Sequence, residues 1–339
     1  MGLPLPSRLE HLIEAADRRR LQGPTGRFAP SPSGPLHLGN LRTALLAWLQ
    51  ARLSGGRFLL RHDDLDLPRQ RPGAIEAIEA DLSWLGITWD GQPLRQSERT
   101  GFYASVLSAF RRGGALYPCR CSRRMLADLS APHGGWPLYP GTCRDQAVGW
   151  GPRQGRLPSW RLRLEPGLLR WREEIGPEGC LEAATQVGDV VLRRADGFLA
   201  YHLTSAVDDL LLAVTTVVRG ADLWRSTAPQ AAVSERLGRP FATSWHVPLW
   251  LDERGQRLAK RQAALGLEPL RQEGLDAAAV IGRMAASLEL VPAGSRLSAA
   301  ELLQEMDLAS LQVQLRRGVE GLGTLKEGFG IKCPTWRSD

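Results

Sequence analysis

No window of the 339 residues approaches the roughly 20 consecutive apolar residues that a membrane-spanning helix requires. The N-terminus is equally poor in apolar runs. Arg8, Arg18, Arg19 and Arg20 stand among acids, and the stretch of about 7 to 15 apolar residues that marks a secretory signal is missing. A cytoplasmic protein without membrane attachment is the resulting expectation. Internal repeats and extended low-complexity segments are also absent, which argues against a solenoid. Cysteine is scarce: there are five, an odd number, and three of them (Cys119, Cys121 and Cys143) crowd into one segment while Cys180 and Cys333 stand apart. Such crowding is a metal pattern before it is a disulfide pattern.

What is present fits a folded chain, with 43% hydrophobic and 23% charged residues. The length exceeds the roughly 250 to 300 residues at which single cores stop growing, so one large unit with a small appendage is expected. The net charge of +7 would attract a polyanion, although charge alone does not establish a nucleic-acid partner.

Hydrophobic spacing gives the organisation. Leu9, Leu12, Ile13 and Ala16 lie on one face of a helix within residues 1–23, and Pro24 closes it. From Arg27 a short strand enters a loop crowded with Pro30, Pro32, Gly34 and Pro35. An amphipathic helix carrying Leu41, Leu45, Trp48 and Leu49 follows. A second strand (Phe58, Leu59, Leu60) runs into His62, Asp63 and Asp64, and a helix with Ile75, Ile78, Leu82 and Leu85 comes next. Strand, loop and helix in alternation open a nucleotide-binding α/β unit on a parallel sheet. After another helix near 102–112, the cysteine segment is rich in Pro and Gly and reads as a metal-stapled insertion without a large core of its own. Strand-like Val187 to Leu192, a turn at Asp196-Gly197 and the apolar run Val214 to Val218 resume the sheet. Short Leu- and Ala-rich helices follow Pro269.

The run Arg27-Phe28-Ala29-Pro30-Ser31-Pro32-Ser33-Gly34-Pro35-Leu36-His37-Leu38-Gly39-Asn40 resembles the first signature of the class I aminoacyl-tRNA synthetases, as it occurs in the glutamyl and glutaminyl branch. The resemblance implies a Rossmann-like catalytic domain in which His37 and a helix N-terminus cradle ATP phosphates, with Pro35, Gly39 and Asn40 beside them. Free N–H groups and the helix dipole favour anions there. Asn40 departs from the motif, which has histidine. The segment Leu251 to Arg261 resembles the family's second signature, a lysine loop, and makes Lys260 the candidate cation for departing pyrophosphate; Arg257 replaces the usual first lysine and Ala259 a serine. Stabilising phosphate charge needs no side-chain nucleophile, so no catalytic triad is expected.

Arg61-His62-Asp63-Asp64-Leu65-Asp66 is similar to the family's R-I-E-D-T-D segment, with the shorter Asp63 facing the substrate ammonium. Ala200-Tyr201, Val207-Asp208-Asp209 and Val218-Arg219-Gly220-Ala221-Asp222 follow its later text. The resemblance thus implies a glutamate pocket formed by Arg27, Phe28, Ala29, Pro30, Ser31, Asp63, Tyr201 and Arg219. A planar guanidinium gripping a carboxylate would tell glutamate from glutamine. Leu212-Ala213 falls where relatives often carry glycine.

Spacing alone leaves Cys119, Cys121 and Cys143 open between a tetrahedral zinc site and ordinary buried thiols. The segment resembles the zinc module of glutamyl-queuosine tRNA(Asp) synthetases, which implies one structural zinc with Tyr139 as fourth ligand; His133 is the alternative. The resemblance spans about residues 26–265. It implies L-glutamate, ATP with magnesium, and tRNA(Asp) carrying queuosine as partners of a monomeric ligase. The chain divides accordingly into a helical extension (1–23), a first catalytic half (24–115), a zinc-binding insertion (116–160), a second catalytic half with an acceptor-binding insertion and the lysine loop (161–268), and a short helical region (269–339) without room for an anticodon-binding domain. Two alternatives are a truncated glutamyl-tRNA synthetase charging tRNA(Glu) and a non-catalytic tRNA-binding paralogue.

Overall fold

The computed structural model describes residues 5–122, 125, 138–250 and 266–320. In chain order it contains α1 (Ser7–Arg20), β1 (Thr25–Phe28), α2 (Leu38–Leu53), β2 (Arg57–His62), α3 (Ala74–Trp84), β3 (Leu94–Arg95), α4 (Thr100–Arg112), β4 (Leu116–Cys119) and β5 (Ser159–Leu162). It continues with β6 (Leu168–Arg170), β7 (Cys180–Glu182), β8 (Val190–Arg193), α5 (Tyr201–Leu211), β9 (Thr216–Gly220), α6 (Thr227–Arg236) and β10 (Thr243–Val247). The helices α7 (Leu267–Gln272), α8 (Ala277–Ala286), α9 (Ala299–Glu305) and α10 (Leu308–Glu320) complete it. No helix among the described residues is long and apolar enough to cross a membrane.

Parallel strands form the centre. β1 pairs with β2 and β2 with β3, while β9 pairs with β10, all parallel. The Thr215 N–H donates to the Thr25 carbonyl at 2.8 Å and the Thr25 N–H to Thr215 Oγ1 at 2.9 Å, which sets β9 beside β1. The strands therefore run β3-β2-β1-β9-β10, and the order reverses between β1 and β9. In doubly wound sheets ligands bind outside the carboxyl ends of the strands at such a switch point. Away from this sheet, β4-β5-β8 form an antiparallel sheet and β6-β7 a separate pair. Residues 183–187, part of which reads as strand in the sequence, instead form one wide helical turn, and the strand begins at Val190.

Helix α2 departs from the amphipathic expectation. It is buried nearly all round, because α8 and α9 cover the side turned away from the sheet. Its buried cation is satisfied by distant chain. Arg42 donates to the Pro248 carbonyl at 2.6 Å and to Ser287 Oγ at 3.0 Å and stacks on Trp250, and burial lowers its pKa to about 10. Helix α1 also acquires a role that its own sequence does not disclose. Arg19 donates to the Leu211 carbonyl and Arg20 to the Leu210 carbonyl, so two cations close the C-terminal end of α5. Just beyond that end Ala213 adopts φ +61°, which explains why glycine suits this turn; a side chain there costs about 1 kcal/mol.

A buried ionic network ties β1, β2 and α5 together. Arg61 has a fully buried side chain and donates to Asp63 at 2.8 Å, to Asp209 at 2.7 Å and to Ser205 at 3.2 Å. Arg27 donates twice to Asp209, and Asp208 accepts from Gln96, Arg99 and Tyr103. Although burial opposes ionisation of Asp209, Arg27 and Arg61 hold its pKa below the usual carboxylate range. Removing one member of a buried pair strands the other. Asp209→Ala is therefore expected to destabilise the fold by about 3 to 5 kcal/mol in denaturant unfolding, well beyond the effect of an exposed Asp→Ala control such as Asp145→Ala.

Candidate active site and metal centre

The carboxyl ends of β1, β2 and β9 deliver Ala29 to Ser31, Asp63 and Arg219 to the switch point. Asp63 follows β2, and its N–H donates to the Pro30 carbonyl at 2.9 Å, joining the two loops. Burial pushes the Asp63 carboxyl up to about 6, against the opposing pull of Arg61. Arg27 is buried and committed to Asp209, so its contribution to a ligand runs through the shape of the wall.

Arg219 is also buried, but its four partners are neutral. Nε donates to His246 Nε2 at 3.0 Å, and NH1 donates to Tyr201 Oη at 3.2 Å and to Gln230 Oε1 at 2.8 Å. NH2 donates to Thr227 Oγ1 at 2.6 Å. A guanidinium has five N–H groups, so these bonds leave one on NH2. The Tyr201 bond is the longest of the four, and Tyr201 is 38% exposed. That bond is therefore the one an incoming carboxylate can share. His202, beside Tyr201, is held neutral by burial, which lowers its pKa to about 4.

His37 caps the start of α2. Its Nδ1 accepts the Asn40 N–H at 3.2 Å, and burial lowers its pKa. A neutral imidazole that accepts at Nδ1 carries its proton at Nε2, leaving one donor for a phosphate oxygen. A Cβ at Gly39 would lie 3.1 Å from this ring, so glycine permits the ring to fold over the first helical turn.

A cavity of about 1370 Å³ begins at Ala29, Ser31, Asp63 and Tyr201 and extends to Cys119, Cys121 and Tyr139. Arg120, Arg153, Arg156, Arg161 and Arg194 also line it. At its far end the Sγ atoms of Cys119, Cys121 and Cys143 all lie within 4.8 Å of one another. Cys121 and Cys143 are 3.7 Å apart, and the Tyr139 hydroxyl lies 3.4 Å from Cys119 and 3.7 Å from Cys121. With zinc–sulfur bonds of about 2.3 Å, tetrahedral ligands stand about 3.5 to 3.8 Å apart, so three thiolates and a phenolate oxygen fit one ion. The hydroxyl also accepts the Cys143 N–H at 2.8 Å, and the Arg161 guanidinium stacks 3.6 Å from the ring centre. Gly188, at φ +70°, lets the turn before β8 approach the Tyr139 backbone; a Cβ there would sit 3.0 Å from the Tyr139 nitrogen.

Residues 25–286 match the family model described as tRNA synthetases class I (E and Q), catalytic domain. The chain belongs to this class I synthetase family. Among its relatives, the glutamyl-Q tRNA(Asp) synthetase of Prochlorococcus marinus (strain MIT 9303) is 53% identical over 302 residues, covering 89% of this chain and 94% of the relative. The protein of the same name from Deinococcus radiodurans is 45% identical over 269 residues, 78% of this chain and 88% of its own. A solved glutamate tRNA ligase from Elizabethkingia meningosepticum, crystallised in complex with its amino acid, superposes with a TM-score of 0.69 at 26% identity. That match covers 86% of this chain and 65% of the ligase, so the chain spans just under two thirds of the larger protein. This protein is thus a ligase of the class I synthetase family.

Within this class I synthetase the expected residues fall into three groups. Ala29, Ser31, Asp63 and Tyr201 face the cavity, while Arg27, Phe28, Pro30 and Arg219 stand behind its wall. Pro35, His37, Gly39 and Asn40 gather at the start of α2, outside the lining of that cavity. Lys260, with Arg257 and Ala259, and the alternative metal ligand His133 lie outside the described residues. Thr227, Gln230, His246 and Glu173 carry no signal in the sequence: Thr227 and Gln230 lie 8 and 11 residues past Arg219 on a helix whose spacing does not disclose the contact, and His246 is an isolated letter 27 residues on. Cys143→Ser is expected to abolish stoichiometric zinc in metal analysis of the purified protein and to lower thermal stability. Unchanged zinc content would contradict this ligand set.

Proposed function

We propose that the protein activates L-glutamate with ATP and transfers the glutamyl group to the queuosine base of tRNA(Asp). The observation that carries the amino-acid assignment is the pairing of Tyr201, backed by the buried Arg219 and its neutral partners, with the anionic Asp63 in one cavity. A positive group and a negative one suit the side-chain carboxylate and the ammonium of glutamate, and a guanidinium rejects the uncharged amide of glutamine. The choice of tRNA is supported by the name carried by the relatives at 43 to 53% identity. The arginine-rich cavity wall suits a phosphate backbone.

In this reading the glutamate α-carboxylate attacks the α-phosphorus of ATP, the bond to the β,γ-phosphates breaks, and pyrophosphate leaves with magnesium. His37 Nε2–H and the N-terminus of α2 hold phosphate oxygens, and Lys260 meets the charge that develops on the leaving group. A hydroxyl of the queuosine cyclopentenediol then attacks the glutamyl carbonyl, loses its proton, and AMP departs. Cys119, Cys121, Tyr139 and Cys143 would hold one zinc ion that braces the 116–160 segment beside the RNA. With its four positions filled by protein ligands, such a site leaves none open for catalysis.

The test is glutamate-dependent ATP–pyrophosphate exchange without tRNA, with glutamine and aspartate as controls, followed by glutamylation of queuosine-containing tRNA(Asp). Exchange with glutamate alone and an ester that survives removal of the tRNA acceptor end are expected. Exchange only in the presence of tRNA(Glu) would favour acceptor-end charging, and no exchange at all a binding paralogue. Lys260→Ala is expected to slow adenylate formation by about a hundredfold or more with an unchanged thermal midpoint; full activity would contradict its role. Because Asp63 must be ionised to meet the ammonium and its pKa lies at about 6, kcat/KM for glutamate is expected to fall as the pH drops through about 6.

A further inference from the structure

Glu173 and His246 lie outside the cavity lining, yet they form a fully buried polar pair that reaches it through Arg219 and Tyr201. Both side chains are wholly inaccessible, and His246 Nδ1 lies 2.6 Å from Glu173 Oε2. Glu173 accepts three further main-chain N–H groups, from Ile175, Gly176 and His246, and the indole N–H of Trp171. Although burial opposes ionisation, His246 and these donors hold its pKa below the usual range, so Glu173 is an acceptor only. His246 Nδ1 must therefore carry a proton. Nε2 faces the Nε–H of Arg219 at 3.0 Å, and a guanidinium cannot accept, so Nε2 must be bare. Thr227 agrees with this assignment. Its Oγ1 accepts from Arg219 NH2 at 2.6 Å and lies 3.2 Å from His246 Nε2, where its own proton can be given.

We infer that Glu173 and His246 act as positioning residues for substrate selection. They fix the plane of Arg219 from behind, through a neutral imidazole of defined tautomer, so that no carboxylate among its hydrogen-bond partners competes with the ligand; Asp222 is a further acid whose field reaches the ring, opposing Arg219 there. A carboxylate placed directly on Arg219 would orient it equally well but would cancel the charge that a substrate carboxylate must feel. The interposed ring keeps Glu173 one residue away. Sheet geometry enforces the arrangement, because His246 on β10 and Arg219 on β9 are register partners with side chains on the same buried face.

This inference rests on the reading of Arg219 as the group that recognises glutamate, and the experiment separates the two. Wild-type exchange with glutamate is measured first, then Glu173→Gln, His246→Asn and His246→Gln. Asparagine keeps the donor toward Glu173 and loses the acceptor for Arg219; glutamine places a carbonyl oxygen near the Nε2 position and keeps that acceptor. Glu173→Gln turns an amide donor toward Nδ1 and forces the ring proton onto Nε2, against Arg219. The expected result is a rise of about tenfold or more in KM for glutamate in Glu173→Gln and His246→Asn, with kcat and KM for ATP within about twofold of wild type and His246→Gln near normal. Equal impairment of both His246 variants, or parallel losses in kcat and both KM values, would mean simple packing and overturn the inference. If wild type shows no glutamate exchange, the functional reading falls by itself. Nitrogen-15 spectra of the imidazoles, with His246 assigned by its absence in His246→Gln, then decide the relay: a neutral Nδ1–H ring between pH 6 and 8 supports it and a doubly protonated ring refutes it.

Discussion

The position of Arg61 is the constraint on which the rest of the molecule depends. Its guanidinium is removed from water completely, which is tolerable only because Asp63 and Asp209 contact it and Asp208 lies 3.7 Å away. Arg27 and Arg99 complete the set, so three arginines face three aspartates drawn from β1, β2, α5 and the turn before α4. Each of these groups is affordable only in the presence of the others. The network therefore acts as an alignment pin: β1, β2 and α5 cannot shift against one another without stranding a charge, and the loops they carry into the cavity are held with them.

Much of the catalytic half could be read from the sequence. The loop from Arg27 to Asn40 feeding α2, the strand ending at His62, and the later strand containing Arg219 carry their own local signals of turn residues and apolar spacing. The exceptions share one cause, which is that the deciding partner lies far along the chain. Arg42 and Gln50 look like the solvent face of α2 until residues near 248 and 287 cover Arg42 and the helix side it lies on. Helix α1 looks inert until its arginines meet α5, about 190 residues away. Asp208 and Asp209 were conspicuous as adjacent acids, but nothing local says that one serves Arg27 and Arg61 while the other serves Arg99 and Tyr103. Glu173 and His246 had no signal at all, since a single glutamate and a single histidine 73 residues apart have no period to detect.

The two ends of the cavity are built on different principles. At the sheet end, precision comes from buried charges whose partners are protein, while the hydrogen-bond partners of Arg219 are neutral. At the cysteine end, the described residues form a small satellite cluster of Tyr117 and Cys119 on β4 with Tyr139 and Cys143 from the segment that follows. An apolar core of that size cannot hold a loop in place, so a tetrahedral set of donors is the economical way to stiffen it. Among the described residues the arginines between the two ends are not drawn into a comparable web, and Arg120, for instance, reaches backbone carbonyls there.

The pairing of β9 with β10 has a consequence for how such a protein tolerates change. Arg219 and His246 meet because their strands are hydrogen-bonded in one register, so the geometry between them is inherited from the sheet rather than from an adjustable loop. A slip of one residue would turn His246 to the opposite face and carry the core residues Trp245 and Val247 out of place with it. Alignment and foldedness are thus one property: a shift of register around residues 216–220 and 243–247 would loosen the contact between Arg219 and His246 only by also exposing core side chains to water.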